Sequence, residues 1–330
     1  MNPHAAFRRW MLVAAAGLVC SLMFGERAAA QSCNINSVVA GSYGTISDLL
    51  TGTNVDSTST FRVTCTGSNG SVVRLCLELA RGSTPGGGAG ERALLSGSNF
   101  LDHEFYSDAA RTTVWGSWGN VASPAYSTGG VQFDLSIVSG GTASTTFTVY
   151  GRIVLSGQRT KLPATYTWTG SPQIGLRYRN RTGNSCPTNG SSTTATGFNW
   201  TAAISAQCVV SAVAIAFPSS GLLTANRDAT GTVTPICTNT TPYTIALDGG
   251  TTAATNPTQR KMSKGAERVT YGIYRDSSRT QPWGSTQGTN TVSGTGTGTS
   301  QNFTAYGRVP PQTTPSAGSY ADTVVTTITY

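Results

Sequence analysis

The sequence predicts an all-β protein of two tandem sandwich domains. Short runs rich in Val, Ile, Tyr and Thr recur between Gly, Ser, Asn and Pro turn signals, and no segment keeps a helical period. The same succession of landmarks also occurs twice along the chain. With 330 residues the chain is long enough for two such domains.

The first thirty residues have the three parts of a secretory signal. Arg8 and Arg9 precede an apolar run from Trp10 to Phe24, and the segment ends on small residues at 28–30. The run is shorter than the roughly 20 residues that span a bilayer. We therefore predict a signal peptide at residues 1–30 and a protein that is soluble once exported.

An internal repeat organises the rest of the chain. The first copy carries Cys33, Cys65, Tyr106 to Gly116 and Phe147 to Arg152. The second copy carries Cys208, Cys237, Tyr274 to Gly284 and Phe303 to Arg308. We predict an N-terminal domain at 31–190, a linking segment at 191–207 and a C-terminal domain at 208–330.

The cysteines predict disulfides. Cys20 lies in the signal, and the six others allow 15 connectivities. The repeat makes Cys33 and Cys65 equivalent to Cys208 and Cys237, which leaves two cysteines private to the first domain. The predicted pairs are Cys33–Cys65, Cys208–Cys237 and Cys76–Cys186. With no C-x-x-C spacing and one histidine left after the signal, neither a metal site nor any other cofactor is expected.

The motif Tyr-x-Asp-x-x-Arg-Thr-x-x-Trp-Gly predicts a turn after a strand in both copies. Asp108 and Asp276 are expected to accept backbone N–H bonds there, and Arg111 and Arg279 to pair with these carboxylates. Its presence in both domains favours a structural role over a ligand site.

The sequence argues against enzymes and nucleic-acid binders. The net charge is +8, but Lys and Arg are scattered singly rather than gathered on one run. Asp102-His103-Glu104 lacks the G-x-S-x-G elbow of a serine hydrolase. The glycine run at 86–91 lacks the Lys-Ser/Thr of a phosphate loop.

These landmarks resemble the spore coat U domain family, from which archaic chaperone–usher pili are assembled. The second copy carries the resemblance through Cys208, Phe217 to Gly221, Ala229 to Thr234, Cys237, Tyr274 to Gly284, Tyr306 to Arg308 and Gly318 to Tyr330. The first copy is similar more loosely. The resemblance implies immunoglobulin-like, pilin-type sandwiches that lack their final strand, which a periplasmic pilus chaperone and then the next subunit's donor strand supply.

The C-terminus is expected to form the edge of an acceptor groove. Tyr320, Val324, Thr326, Ile328 and Tyr330 alternate as one face of a strand. Only Gln31 and Ser32 separate the predicted cleavage site from Cys33, so we expect a subunit that accepts a donor strand and offers none, as at a fibre tip.

A donor-like segment lies between the domains. Its alternating face is Phe198, Trp200, Ala202, Ile204 and Ala206. We expect it to complete domain one within the same chain; the alternative is a solvated linker.

Apolar residues peculiar to the first domain are candidate adhesive loops: Phe100, Leu101, Trp118, Val121, Pro124, Tyr126, Leu155 and Leu162. The resemblance implies a tip adhesin of the fimbrium. Such a protein would pass through the periplasm and an outer-membrane usher to the cell surface, grip a hydrophobic abiotic or host surface, and support biofilm formation. The alternatives are that these residues pack under one another, and that the protein is a non-adhesive structural subunit or a secreted spore coat U domain protein.

Overall fold

The computed structural model describes residues 31–82, 92–118, 129–138, 140–168, 173–186 and 190–330. The predicted signal peptide and the glycine run at 86–91 lie outside these ranges. The strands of the described residues form two successive all-β sandwiches. Within the described ranges, no helix has the length and hydropathy that a membrane crossing needs.

The first sandwich runs from Ser32 to Ile204. Its strands are β1 Ser32–Asn36, β2 Gly41–Ile46, β3 Asn54–Thr66, β4 Val72–Leu79, β5 Arg92–Ser96, β6 Asn99–Tyr106, β7 Val131–Ser136, β8 Thr142–Val154, β9 Ala164–Trp168, β10 Ile174–Asn180, β11 Ser191–Ala195 and β12 Trp200–Ile204. One sheet has the order β1-β3-β8-β6-β5-β9-β12-β2, and the facing sheet has the order β11-β10-β4-β7.

The second sandwich repeats this plan with fewer strands. Its strands are β13 Cys208–Val213, β14 Arg227–Cys237, β15 Pro242–Leu247, β16 Arg260–Lys264, β17 Glu267–Tyr274, β18 Val292–Thr295, β19 Phe303–Val309 and β20 Thr326–Thr329. The sheets are β13-β14-β19-β17-β16 and β18-β15-β20. Among the described residues, the second sandwich has no counterpart of β11 and β12.

The two cores differ in how completely they are closed. The first is a continuous cluster of aromatic and aliphatic side chains in which Phe61, Phe105, Trp168 and Trp200 are fully buried. The second core is smaller, and many of the apolar side chains packed against it remain half-exposed, among them Ile215, Phe217 and Met262. Since apolar burial is the main stabilising contribution to a fold, the second sandwich is the less completely buried of the two.

The structure joins Cys33 to Cys65, Cys76 to Cys186 and Cys208 to Cys237. These are the three pairs expected from the repeat. Each of the bridges Cys33–Cys65 and Cys208–Cys237 links directly opposed residues of paired strands, β1 with β3 in the first sandwich and β13 with β14 in the second. Cross-links of this kind stabilise mainly by restricting the unfolded chain.

The repeated turn forms in both domains, but its arginine pairs elsewhere. Asp108 accepts bonds from the backbone N–H groups of Thr112 and Thr113, as expected. Arg111 instead forms an ion pair with Asp56, 3.4 Å away on β3, and Arg279 does the same with Asp228 at 3.3 Å. The prediction that this arginine pairs with the aspartate of the turn is therefore wrong. Arg111 has a positive φ of 57°, and its guanidinium instead binds the Gly151 carbonyl and Asp56 on the neighbouring strands.

A buried arginine that the sequence analysis missed supports each sandwich. Arg92 donates to the carbonyls of Ala80, Leu79 and Trp115. Arg260 donates to the equivalent carbonyls of the second domain, those of residues 248, 247 and 283. Burial lowers the pKa of Arg260 from its usual value, although Tyr271, Asp248 and Asp322 act in the opposite direction. The sequence did carry one signal for this role, because Arg92 and Arg260 occupy equivalent positions in the two copies of the repeat.

The segment before Cys208 forms part of the first sandwich. Strand β12 pairs antiparallel with β9 and parallel with β2, and β11 extends the facing sheet beyond β10. Phe198, Trp200, Ala202 and Ile204 are all buried. Ala206 is exposed, contrary to the expected alternation, because the strand ends at Ile204 and the chain turns toward the second sandwich.

The junction between the sandwiches is hydrogen-bonded on both sides. The Gln207 carboxamide accepts from the N–H of Leu50 at 3.3 Å, while its backbone exchanges bonds with Thr238. Asn239 donates to the carbonyl of Thr160 at 3.0 Å. The junction therefore fixes the end of β12 against the beginning of the second domain.

Candidate functional site

The segments that begin the two sandwiches, residues 33–43 and 208–217, can be matched with each other. Val213 lies opposite Thr232, and Val39 donates its N–H to the carbonyl of Thr60, the residue equivalent to Thr232. Between the first cysteine and this contact, the first copy has one residue more than the second. The extra residue lies next to Ser37, whose φ is positive at 48°. Gly41 and Tyr43 therefore correspond to Ile215 and Phe217.

Strand β9 of the first sandwich and the segment at residues 320–322 of the second match in the same way. Leu95 lies opposite Thr167, and the equivalent Ser263 lies opposite Ala321. The Tyr166 hydroxyl lies 2.9 Å from the carbonyl oxygen of Leu162, and the Tyr320 hydroxyl lies 2.8 Å from that of Ser316, four residues earlier in each case. Tyr320, Ala321 and Asp322 therefore correspond to residues 166–168 of β9.

Between these two segments the second sandwich is open. A groove of about 490 Å³ extends from residues 212–217 to residues 320–326, and its floor is formed by core side chains such as Val233, Leu247 and Ile273. In the first sandwich the same position is occupied by β12, between β2 and β9. Strand β20 has only β15 as a neighbour among the described residues, so its other edge presents unpaired backbone groups.

The edge residues expected from the sequence lie here. Tyr320, Val324 and Ile328 pack against the second core, and Thr326 is half-buried beside them. Tyr330 does not continue this face and is 57% exposed. It follows the last residue of β20, so no neighbouring strand covers it.

Asp322 shares the inward face, although the sequence analysis left it out. It accepts hydrogen bonds from the Tyr271 hydroxyl at 2.7 Å and from the Thr251 hydroxyl at 2.6 Å. Burial and this carboxylate raise the pKa of Tyr271, and the bonds from Thr251 and Tyr271 hold the pKa of Asp322 below its usual value despite partial burial. A charged group therefore stands at the position that Trp168 fills in the first sandwich.

A second carboxylate, that of Glu267, holds the chain in place where it enters the groove edge at Tyr320. Glu267 accepts hydrogen bonds from the Ser316 backbone and side chain and from the Tyr320 hydroxyl. The bonds from Ser316, followed by that from Tyr320, lower the pKa of Glu267 to about 2. The segment that precedes the groove edge is thus held in place although no strand covers it.

The candidate adhesive residues that the structure describes do not form one cluster. Leu101 and Leu155 are fully buried in the first core and cannot contact a surface, which corrects their assignment. Phe100 and Leu162 line a cavity of about 130 Å³ together with Asn239 of the second sandwich, and the Lys161 ammonium covers the Phe100 ring at 3.7 Å.

Among the described members of the set, Trp118 is the exposed one, at 36%. Its indole lies against the backbone of Gly129 and Gly130, where a methyl group on Gly129 would come within 2.4 Å of Nε1. Val121, Pro124 and Tyr126 lie outside the described residues.

His103 is a core residue in this structure. Its imidazole is buried among Phe105, Trp168 and Tyr43, and Nδ1 lies 3.1 Å from the Tyr43 hydroxyl. Burial, followed by the charge of Arg92, lowers the pKa of His103 well below its usual value. In the described ranges no group of three or more His, Cys, Asp or Glu side chains could hold a metal ion.

Several solved structures are similar to this chain. One is a chaperone–tip subunit pre-assembly complex of archaic chaperone–usher Csu pili from Acinetobacter baumannii, with a TM-score of 0.48 and 16% identity over 91% of this chain and 100% of that chain. Another is the CupB6 tip adhesin of Pseudomonas aeruginosa, with a TM-score of 0.33 and 12% identity over 90% and 93%. No curated protein matches the sequence.

The sequence profile of the spore coat protein U domain matches the chain twice, at residues 21–169 and 194–327. The two matches cover most of both sandwiches. The chain therefore belongs to the spore coat protein U domain family.

Proposed function

We propose that this protein is the non-enzymatic tip subunit of a chaperone–usher pilus, and that its second domain accepts the donor strand of the next subunit. The observation that carries the proposal is the contrast between the two sandwiches. The same groove is filled by the chain's own β12 in the first domain and is open in the second.

The physical reason is that an open sandwich edge leaves both backbone hydrogen-bonding groups and apolar side chains without partners. Backbone groups of the edge strand lack partners, and apolar side chains such as Ile215 and Val324 lie half-exposed in the groove. An extended segment supplies partners for both, because its backbone pairs with the edge and its alternate side chains enter the groove. A periplasmic chaperone would supply such a segment before the usher exchanges it for that of the next subunit.

Thermal unfolding of the exported chain, residues 31–330, tests the acceptor groove. The added donors are a synthetic peptide with the sequence of residues 191–207 and a second version with alanine in place of Trp200. At least one of them should raise the melting temperature of the second sandwich, because a bound ligand stabilises the folded state.

Two variants provide matched controls. Val324→Asp places a charge on the inward face and should abolish the effect, whereas Val325→Asp, at a neighbouring residue that is 55% exposed, should retain it. If neither peptide alters the unfolding of the wild-type chain, the groove is not an acceptor site.

We also propose that the first domain attaches to hydrophobic surfaces through apolar residues of the segment 118–126. The exposed Trp118 supports this, since an aromatic side chain buries a large apolar area on contact. Many fibres acting together would strengthen attachment by avidity, as biofilm formation requires.

Replacement of Trp118, Val121 and Tyr126 together with Ser or Thr should abolish attachment of pili to polystyrene while the fibres still assemble. Phe133→Ser is the matched control, because this aromatic residue is 39% exposed but belongs to β7. Attachment of the triple variant at the wild-type level would instead favour a non-adhesive structural subunit.

A further inference from the structure

We propose that Ile215 selects the donor strand of the second domain by size, so that this groove takes a segment with a small residue where the chain's own β12 carries Trp200. The inference rests on the proposed acceptor function and adds the chemistry of the occupant. The two sandwiches of this chain supply the comparison, because one groove is filled and the other is not.

In the first sandwich, glycines make room for Trp200. A methyl group on Gly41 would lie 2.2 Å from the indole, and one on Gly151 would lie 2.6 Å from it. The indole is fully buried and contacts the rings of Tyr43 and Phe105, with centroid distances of 5.1 and 4.9 Å. A large donor side chain fits here because the residue opposite it on β2 has no side chain.

In the second sandwich, the residue equivalent to Gly41 is Ile215, and its side chain enters the same space. A methyl group on Gly307, the counterpart of Gly151, would lie 2.8 Å from Cγ2 of Ile215 and 2.8 Å from the Phe217 ring. The side chain above this glycine therefore belongs to the acceptor domain itself, in the segment that follows β13. A tryptophan at the matching donor position would collide with Ile215.

Compared with the first sandwich, the groove of the second has less space at the position of Trp200 and more space at the position of Phe198. Phe198, two residues before Trp200, contacts the rings of Phe61 and Phe105 in the first sandwich. The second sandwich has the smaller Val233 and Ile273 at those two positions, and both line its open groove. The fitting donor therefore carries a large apolar side chain at the position of Phe198 and Gly or Ala two residues later.

This arrangement discriminates against the chain's own strand. Residues 191–204 of a second copy have the length and alternation to enter the groove, but they present Trp200 where Ile215 leaves no room. A mismatch of this kind gives specificity by rejecting the wrong partner. It would prevent copies of this protein from completing one another and closing the groove before the correct donor arrives.

The test compares two peptides on the exported chain, residues 31–330, by fluorescence anisotropy. One peptide has the sequence of residues 191–207, and the other has alanine in place of Trp200. The wild-type chain should bind the alanine peptide about tenfold more tightly or better, in line with the cost of overpacking a filled site.

Changing Ile215 should reverse this preference. In Ile215→Gly the tryptophan peptide should bind at least as tightly as the alanine peptide, and Ile215→Ala should give an intermediate ratio. Val209→Gly is the matched control on β13, because Val209 is 40% exposed and lies outside the groove, and it should keep the wild-type ratio.

The outcomes separate the two proposals. If the wild-type chain binds both peptides equally, or if the ratio is unchanged in Ile215→Gly and Ile215→Ala, size selection by Ile215 is wrong while the acceptor groove stands. If no chain binds either peptide, the proposed function itself fails.

Discussion

At the scale of single residues, Gly41 controls whether the first sandwich can hold its last strand. Gly41→Ala should destabilise this domain by about 1–3 kcal/mol, because the added methyl group overlaps the Trp200 indole. Urea unfolding measures the change. Thr45→Ala, at an exposed position of the same strand, should change stability by less than about 0.5 kcal/mol.

A double-mutant cycle identifies the cause of this destabilisation. In a Trp200→Phe background, Gly41→Ala should cost less than it does in the wild type, because the smaller ring leaves space for the methyl group. Equal costs in both backgrounds would mean that glycine is needed at this position for a reason unrelated to Trp200.

His103 makes the first domain sensitive to acid. Its folded pKa lies well below the value of about 6.5 expected in the unfolded chain, so the unfolded state binds more protons as the pH falls. The free energy of unfolding should therefore decrease below pH 6.5, by up to about 1.4 kcal/mol per pH unit. Above pH 6.5 the contribution of His103 is fully present.

Urea unfolding between pH 7.5 and 5 checks this dependence. His103→Phe should remove most of the slope, whatever its effect on stability at neutral pH. The second domain contains no histidine and serves as an internal control. A slope that persists in His103→Phe would assign the acid sensitivity to other groups.

At the scale of elements, the cost of a substitution in and just after β12 should follow the burial of the side chain. Ala202→Asp places a carboxylate in the core and should destabilise the first sandwich by several kcal/mol, since the charge loses its hydration without gaining a partner. Ala206→Asp makes the same change at an exposed position and should cost less than about 0.5 kcal/mol. Circular dichroism and urea unfolding compare the two, and similar losses would contradict the described orientation of β12.

Periodicity predicted the strands whose alternate residues are strongly apolar. The face of Phe198, Trp200 and Ile204 was readable in this way because each of these side chains is large and enters the core. Strand β11 was not, because Ser191–Ala195 is polar and is held by backbone pairing to β10.

The details of the groove were also beyond the sequence alone. Ile215 gains its role only because its neighbours across the sheet are the glycines Gly231 and Gly307. Asp322 breaks the apolar pattern of its segment and accepts hydrogen bonds from Tyr271 and Thr251, which are distant in sequence. Such roles depend on tertiary neighbours, and the period of a single strand does not contain them.

At the scale of the whole molecule, the hydrogen bonds of the junction should hold the two sandwiches in one orientation. Gln207→Ala combined with Asn239→Ala removes the side-chain bonds to Leu50 and Thr160, at a cost of about 1 kcal/mol each. Small-angle X-ray scattering should then show a broader distribution of distances between the domains. Asn302→Ala removes a bond that stays within the second domain and should not alter the scattering, whereas a double variant that scatters like wild type would contradict the role of these bonds.

The path of the chain through β12 has a mechanical consequence. This strand leads to Cys208 within four residues, so tension applied through the second domain reaches the first along the axis of β12. Its hydrogen bonds to β9 and β2 run across that axis and are loaded together in shear, rather than being peeled apart one at a time. In a fibre pulled by flowing liquid, the strand that completes the first domain would then also be the anchor that resists its extraction.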